Sequence, residues 1–407
     1  MIQVASSIPS SLRTRLNGLF LLNGVLYASW AVQIPAVQHR FDLNTAELSG
    51  LLFALMGGTL VALPLARQCL VVRGARQTGV LSLLLMGVSL GLLGAVTSVP
   101  AAFVCALLYG VGFGGMDFTL NGVGGWLEER LGKPIMSGLH AGYSLGALIG
   151  AALGTAFIGA ALSLGTHLWS ASATVVLAGL LAFALFPARI ETASEARGRP
   201  QGKLLLLLLI PGFFAAFGEG TVTDWSTVYL GGVFELPAAQ AGLGFVAFSA
   251  LMVLGRLSGD RLTQAFGAGR LALAASLASA AGFALVTWAG SAPGAVLGFV
   301  LTGAGLSVLA PLTFSAAWRM QGSAGVALLT AVFYGGYLAG PPLTGLTIGQ
   351  AQLSAAFVLP LLLAALSVGA MLLWPLYRPS AGTPPDHAPL PDAESPTIPA
   401  VPTGDHP

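Results

Sequence analysis

Long apolar runs separated by short polar segments dominate the pattern of the chain. A helix needs about 20 mainly apolar residues to cross the roughly 30 Å hydrocarbon core of a bilayer. The pattern predicts an all-α integral membrane protein with twelve transmembrane helices. The predicted spans are 15–37, 48–66, 78–97, 101–121, 138–160, 167–187, 204–230, 239–257, 271–289, 294–314, 323–346 and 353–377.

Composition supports a membrane location. Of the 407 residues, 55% are hydrophobic and 8% charged, whereas about a quarter of the residues of a soluble chain are charged. The 55 glycines favour helices that pack closely in lipid, where small side chains let backbones approach. The composition therefore excludes an ordinary soluble domain.

The distribution of positive charge orients the predicted spans. If the N-terminus is cytoplasmic, 16 of the 17 Lys and Arg residues lie in inner segments, and only Arg40 lies outside. This asymmetry follows the positive-inside rule. We therefore expect both chain ends in the cytoplasm, in a bacterial cytoplasmic membrane.

One long polar segment, 188–203, divides the chain almost in half. It predicts a cytoplasmic linker between two pseudo-symmetric six-helix halves, at 1–187 and 204–377. The proline-rich segment 378–407 is expected to be a disordered cytoplasmic tail. A repeat at a shift of about 194 residues supports the two halves, and its members are Arg67 with Arg261, Arg76 with Arg270, and Trp30 with Trp225.

Several classes of function lack the residues they need. Cys69 and Cys105 fall on opposite sides of the predicted membrane, and neither has the Cys or His neighbours of a metal site. No basic cluster fits nucleic acid, and no Walker sequence provides an ATP site. We expect no metal, no cofactor, no nucleic acid partner and a monomer in the lipid bilayer.

Three carboxylates lie inside predicted spans: Asp117, Glu219 and Asp224. An acidic side chain at a helix centre costs about 2.5 to 3.5 kcal/mol unless it faces protein or water. We therefore expect these residues to point inward, as proton or solute ligands. The alternative is a structural hydrogen bond between helices, or simple hydration for Asp224 at the outer rim.

Polar and aromatic residues near these carboxylates extend the candidate site. Asn121 shares a helix face with Asp117 and is close to His140, which suggests an Asp–His relay or an inner gate; a satisfied polar cluster is the alternative. Aromatic and amide side chains suit a polar neutral solute but also serve as interfacial anchors. These further candidates are Asn23, Tyr27, Trp30, Trp225, Tyr334 and Tyr337.

Other features refine these expectations. No Lys or Arg is predicted deep in a span, which argues against a strongly anionic solute. Pro341 and Pro342 are expected to interrupt helix hydrogen bonding. A ladder of glycines at every fourth position of the fifth span predicts close helix packing. The ladder consists of Gly142, Gly146, Gly150 and Gly154.

The segment GRLSGDRLTQAFGAGR, from Gly255 to Arg270, resembles the signature loop of the major facilitator superfamily. Asp260 and Arg261 match its Asp-Arg pair, and the resemblance implies that Gly255, Asp260, Arg261 and Arg270 brace helix ends during the transport cycle. The first-half copy has Ala66 at the Asp position. EGTVTDWSTVYL, GMDFTLNGVGGWLE, SGLHAGYSLGALIG and YGGYLAGPPLTG are similar to a fucose-permease-like branch of bacterial carriers.

Together these features predict a proton-coupled secondary transporter for a small neutral polar, sugar-like solute, working by alternating access. A proton-driven exporter of amphipathic or cationic compounds is the alternative. A membrane-embedded enzyme or a non-transporting sensor is a third possibility. An enzyme would need reactive residues clustered at one depth, whereas those found here are scattered.

Overall fold

The computed structural model describes residues 10–184, 186, 202–349 and 353–377. Over these ranges the chain forms thirteen α-helices with short connections. The helices are α1 Ser10–Ala31, α2 Ile34–Arg40, α3 Thr45–Arg73, α4 Ala75–Leu93, α5 Val99–Leu131, α6 Met136–Gly159, α7 Leu164–Ala184, α8 Gly202–Val233, α9 Ala238–Ala241, α10 Leu243–Phe266, α11 Ala268–Thr287, α12 Ala292–Gly349 and α13 Val358–Tyr377. A 3₁₀ turn at Leu353–Phe357 precedes α13.

The helices supply the twelve predicted spans. Ten are long and apolar enough to cross a membrane, and α1 with α2 forms a further span bent by 41°. The 58 residues of α12 contain two spans, because Gly322 breaks the helix with φ 56° and ψ −136°. We refer to 292–321 and 323–349 as the first and second limbs of α12. The prediction of twelve helices is confirmed.

Several helices continue past the apolar segments that predicted them. We call the end of the bundle at which α1 begins the inner end, which is the predicted cytoplasmic side. There α3 continues to Arg73 and α10 to Phe266, because a helix pairs its backbone groups internally in lipid or in water. The expectation of a loop from Gly255 to Arg270 is therefore wrong, since only Gly267 separates α10 from α11.

Two pairs of glycines reveal the internal repeat in the backbone. Gly74, between α3 and α4, has φ 86°, and Gly267, between α10 and α11, has φ 80°. Gly132, after α5, has φ 61°, and Gly322, between the limbs of α12, has φ 56°. In the N-terminal half (α1–α7) and the C-terminal half (α8–α13), Gly74 and Gly267 thus share a conformation that glycine adopts at little cost, whereas Gly132 and Gly322 share only a positive φ.

The glycine ladder of α6 packs directly against α1, as predicted. A Cβ atom at Gly142, Gly146 or Gly150 would collide with Asn17, Leu21 and Val25 of α1, respectively. At Gly146 and Gly150 the obstructing atoms belong to the backbone of α1. The glycines therefore allow contact between helix backbones, where dispersion forces stabilise packing in lipid.

Residues from the inner end to mid-depth of the C-terminal half join the hydrophobic core of the N-terminal half. Trp318, Val326, Leu329 and Tyr334 of α12 belong to this shared cluster. A second cluster contains only residues of the C-terminal half. The halves are thus packed together over the inner part of the bundle.

Some sequence expectations are corrected or lie outside the described residues. The second limb of α12 continues through Pro341 and Pro342 to Gly349, so the two missing N–H donors do not end the helix, and the break in α12 lies at Gly322. Arg40 donates to the Gly94 carbonyl, 2.9 Å away, at the end of α4.

Most of the linker 188–203 and the tail 378–407 lie outside the described residues, although α8 already includes 202 and 203.

Candidate functional site

Aromatic contacts align α1 with α5 near the middle of the bundle. The ring of Tyr27 stacks on that of Phe113, with 5.1 Å between centroids. The two helices are antiparallel, so one turn further inward brings Asn23 on α1 level with Asp117 on α5. Asn23 is only 2% exposed, and neither polar atom of its amide has a hydrogen-bond partner among the described residues.

Asp117 belongs to a polar chain that crosses between helices. The Asn121 side chain donates to the Asp117 carboxylate over 3.0 Å, and its oxygen lies 3.0 Å from Nε2 of His140. Because the Asn121 oxygen can only accept a hydrogen bond, Nε2 of His140 is the donor. Asp117 and His140 are therefore linked through Asn121 rather than directly. Tyr334 of α12 lies close to the same carboxylate, on the side of the other half.

Glu219 forms a second polar cluster, on α8. Its carboxylate lies 3.4 Å from Nη2 of Arg256 and close to Tyr337 of α12. Tyr27 is within electrostatic range of Glu219. The Glu219 side chain is 23% exposed, so the carboxylate is reachable from the space between the halves.

Arg256 corrects the expectation that no Lys or Arg lies deep in a span. It is the fourteenth residue of the 24-residue helix α10, and its side chain is 8% exposed. Its Nη1 donates to the hydroxyl of Ser144 on α6 over 2.5 Å. A buried guanidinium is therefore present beside Glu219, and the argument against an anionic solute no longer holds.

The remaining candidates occupy different surroundings. Asp224 is exposed and within electrostatic range of Tyr27, across the interface. Trp225 is partly buried, and its Nε1 has no partner among the described residues. Trp30 is 2% exposed and contacts the Tyr109 ring, 6.2 Å between centroids, so it packs in the core of the N-terminal half.

The N-terminus of α6 is held by two carboxylates from different halves. Glu128 of α5 accepts from the backbone N–H of Ile135 at 3.0 Å and of Met136 at 3.1 Å. Asp260 of α10 accepts from the N–H of Ser137 at 3.0 Å and of Gly138 at 3.1 Å. These N–H groups have no partner within the helix, and they carry the positive end of its dipole. The two carboxylates together accept hydrogen bonds from all four of these N–H groups.

Further contacts close the same inner region. Arg319 of α12 lies 3.2 Å from Glu128, Trp318 donates to Glu129 over 3.0 Å, and Arg13 lies 3.5 Å from Asp260. We call these contacts and the α6 N-terminus the inner gate; it consists of Arg13, Glu128, Glu129, 135–138, Asp260, Trp318 and Arg319. The gate joins the two halves at the inner end of the bundle.

Only part of the signature segment takes part in this gate. Arg261 and Arg270 are exposed, and neither has an ion pair in the described part of the chain. Gly255 packs closely against Ser307 of α12. Of the four residues singled out by the resemblance, Asp260 therefore supplies a contact between the halves.

Sequence reasoning missed several residues of both regions. Ser144, Glu128, Glu129 and Arg319 gain their significance only from partners on other helices, up to 191 residues away. Arg256 stands close to the predicted end of span 8, where a basic residue is ordinary. Had helix α10 been predicted to continue past the apolar segment, Arg256 would have been placed inside it.

No group of three or more His, Cys, Asp or Glu residues able to hold a metal ion occurs within the described ranges. Cys69 and Cys105 are both free. What the site offers is carboxylates, amides, phenols and a guanidinium at mid-depth between two helical halves. Carboxylates bind and release protons, and all of these groups form hydrogen bonds with polar molecules.

A twelve-helix bundle with polar groups between its halves defines a membrane transporter, not an enzyme. The chain belongs to the Major Facilitator Superfamily, whose model matches residues 19–321. It is 33% identical over 358 residues to the uncharacterized transporter y4wD of Sinorhizobium fredii, covering 85% of this chain and 94% of that protein. The protein is thus a multi-pass membrane protein of a family that transports small molecules.

Solved structures show the same fold. FucP in the outward conformation superposes with a TM-score of 0.74 at 17% identity, covering 90% of this chain and 99% of that chain; a second structure names it the E. coli fucose:proton symporter. The human organic anion transporter MFSD10 gives a TM-score of 0.72 at 17% identity, covering 88% and 98%. At such identities the likeness extends to the fold alone.

Proposed function

We propose that the protein is a proton-coupled secondary transporter of a small neutral polar solute. It lies in the bacterial cytoplasmic membrane with both chain ends in the cytoplasm. Alternating access exposes the site between the halves first to one side and then to the other. Glu219 and Asp117 are the candidate proton or solute ligands.

One observation carries the proposal: each half places a carboxylate at mid-depth, and each carboxylate lies close to a tyrosine of α12. Asp117 lies beside Tyr334, and Glu219 lies beside Tyr337. Such groups are costly in a membrane unless they face protein or water and serve transport. Their position between the halves is where transporters built from repeats bind substrates and coupling ions.

A polar solute without net charge fits the remaining groups. Asn23 has a free donor and a free acceptor in its buried amide, and Tyr27 and Phe113 provide aromatic faces beside it. Hydroxyl groups of a sugar-like molecule need such hydrogen-bond partners, and its C–H faces stack on aromatic rings. FucP, described as a fucose:proton symporter, is a neighbour of the same fold.

The proposal is tested by uptake into proteoliposomes. Thermal-shift screening against sugars, polyols, nucleosides and carboxylates first selects a labelled solute. We expect uptake to follow an imposed proton gradient, to collapse with a protonophore, and to be lost in Glu219→Gln. Glu47→Gln serves as control, because Glu47 is exposed at the start of α3. Uptake that survives both the protonophore and Glu219→Gln would exclude proton coupling.

A second candidate is proton-driven export of amphipathic or cationic compounds. Asp224 favours it, because this carboxylate is exposed and has no ion pair among the described residues. A free carboxylate between the halves would attract a cation. Increased drug sensitivity of a deletion strain, reversed by the wild-type gene and not by Asp224→Asn, would support export over uptake.

A further inference from the structure

The buried amide of Asn23 is out of reach of the space between the halves. Asn23 is 2% exposed, and both polar atoms of its amide are buried without a hydrogen-bond partner among the described residues. Two carboxylates of α8 differ from it, since the Glu219 side chain is 23% exposed and Asp224 is exposed. A solute that enters between the halves therefore meets these carboxylates first, and other side chains separate it from Asn23.

Three aromatic rings form a layer one helical turn outward of Asn23. Phe113 of α5 stacks on Tyr27 of α1, with 5.1 Å between centroids and 24° between the ring planes. Tyr334 of α12 meets the Phe113 ring at 62°, with 6.1 Å between centroids. Phe113 and Tyr334 belong to different halves, so their contact closes this outer ring layer across the interface.

A second set of rings lies inward of Asn23. The ring of His140 on α6 lies between Phe20 of α1, with 5.5 Å between centroids, and Phe314 of α12, with 5.8 Å. This inner ring layer also joins the two halves. Phe20 precedes Asn23 by three residues and Tyr27 follows it by four, so all three lie on one face of α1. Asn23 is therefore enclosed between the two ring layers.

The spacing of the two layers limits what can bind beside Asn23. Phe20 and Tyr27 are seven residues apart, which corresponds to about 10 Å along the axis of α1. Carbon atoms in contact are about 3.5 to 4.0 Å apart, so one ring that touches both layers uses about 7 to 8 Å of this separation. Two stacked rings need three such contacts and exceed it. The space beside the amide therefore matches a polar solute with a single ring.

Glycines next to Phe113 hold its helix against neighbouring backbones. A Cβ atom at Gly110 would collide with the backbone of Leu55 on α3. A Cβ atom at Gly112 would collide with the backbone of Met86 on α4. Close contact on two sides fixes the position of α5, so Phe113 is a rigid part of the N-terminal half. Its partner across the interface belongs to α12 and moves with the other half.

We propose that Phe113 is a specificity-determining residue, which limits the solute that reaches Asn23 to polar molecules with a single ring. Phe113 and Tyr334 close the outer ring layer in the present arrangement. When the halves move, Tyr334 withdraws and Phe113 remains as the fixed edge of the opening. The inference rests on the polar solute of the proposed function, and it adds the size class of that solute.

Chemical access to position 23 tests the barrier directly. Asn23→Cys is introduced into the full-length chain with Cys69→Ser and Cys105→Ala, and spheroplasts are treated with methanethiosulfonate ethyltrimethylammonium, which does not cross membranes. We expect Asn23→Cys to react at least about tenfold more slowly than Asp224→Cys, because only molecules with an open layer react. Addition of Phe113→Ala should raise the rate at Asn23→Cys at least about tenfold.

Matched replacements separate the barrier from general packing. Phe103→Ala removes the same ring from α5, but Phe103 packs against Gly50 of α3, so the rate at Asn23→Cys should not change. Phe113→Leu leaves a smaller opening and should raise the rate less than Phe113→Ala. It provides the comparison if thermal unfolding shows that the alanine variant does not fold. A rate that responds no more to either variant of Phe113 than to Phe103→Ala would overturn the inference.

Competition for uptake tests the size class. The probes are the single-ring sugar with the largest thermal shift and the benzyl glycoside of the same sugar, which carries a second ring. In proteoliposomes the sugar should inhibit uptake of the labelled solute more strongly than its benzyl glycoside does. Phe113→Ala should reduce this ratio of inhibition constants about tenfold, and Phe103→Ala should not.

The possible failures are distinguishable. If uptake follows the proton gradient, but Phe113→Ala changes neither the reaction rate nor the ratio of inhibition constants, the inference is overturned and the proposed function stands. If no polar solute is taken up while the reaction rate at Asn23→Cys still depends on Phe113, the proposed function fails and its size class with it. The barrier in front of Asn23 is then supported as a structural feature alone.

Discussion

Asp260 reaches from α10 into the other half and accepts a hydrogen bond of 3.0 Å from the backbone N–H of Ser137, at the start of α6. The same carboxylate accepts from Gly138. Hydrogen bonds to a charged acceptor contribute about 1.5 to 3 kcal/mol each. The contact therefore stabilises the closed inner gate through the backbone rather than through a second side chain.

Replacement of this carboxylate should weaken the gate. We expect Asp260→Asn to shift the equilibrium toward an open inner end by roughly 2 kcal/mol, or about 30-fold, because an amide retains the size but loses the charge. The separation of nitroxide labels at Lys133→Cys and Gln264→Cys, both exposed near the inner ends of α5 and α10, measures the shift by double electron–electron resonance. Glu235→Gln, an exposed carboxylate remote from the gate, should leave the separation unchanged. An unchanged separation in Asp260→Asn would contradict a bracing contact.

Close packing between α6 and α1 leads to a prediction of stability. A Cβ atom at Gly146 would collide with the backbone of Leu21, and overpacking of this kind costs about 1 to 3 kcal/mol. Gly146→Ala should therefore lower the thermal unfolding temperature of the purified protein by several degrees. Gly159→Ala on the same helix meets no atom within 4 Å and is expected to leave it unchanged. Equal unfolding temperatures would disprove the packing argument.

The turn between α10 and α11 depends on the backbone of one residue. Gly267 has φ 80° and ψ 147°, a region that other residues adopt only with a strain of about 1 to 3 kcal/mol. Gly267→Ala should reduce stability by that amount, measured by thermal unfolding. Gly269→Ala lies inside α11 with open space around it, and should be neutral or slightly stabilising. A stability ranking in the opposite order would contradict the assigned turn.

The sequence predicted the bundle well because the features that indicate a membrane span lie within the span itself. Apolar length identified the spans, and the arginines near 67 and 261 indicated a repeat that the backbone shows at Gly74 and Gly267. Helix ends were less predictable. The apolar segment of span 8 ends near 257, whereas α10 continues to Phe266, because water does not terminate a helix whose backbone is already paired.

The candidate site was predictable only in part. Asp117 and Glu219 stand out because a carboxylate in an apolar run is exceptional. Arg256 and Ser144 do not stand out, since each residue type is common in its own segment. Only their contact, between positions 112 residues apart, shows that they belong to the site. Pairings between the halves depend on how the two bundles dock, which no local pattern in the sequence encodes.

Asn23 offers a separate test of the binding site. Its buried amide has no partner among the described residues, and an unsatisfied buried polar group costs about 1 to 3 kcal/mol. If a solute supplies the missing hydrogen bonds, Asn23→Ala should raise KM for uptake about tenfold or more without lowering the unfolding temperature. KM should rise without a loss of stability because Asn23→Ala removes no hydrogen bond within the protein itself.

Ser29 provides the matched control on the same helix. It is also buried without a hydrogen-bond partner among the described residues, but six residues place it about 120° away from Asn23 around α1. Ser29→Ala should therefore leave KM unchanged. A similar KM in Asn23→Ala and wild type would place the solute elsewhere in the path. A fall in unfolding temperature with unchanged KM would instead show that Asn23 stabilises the helix packing.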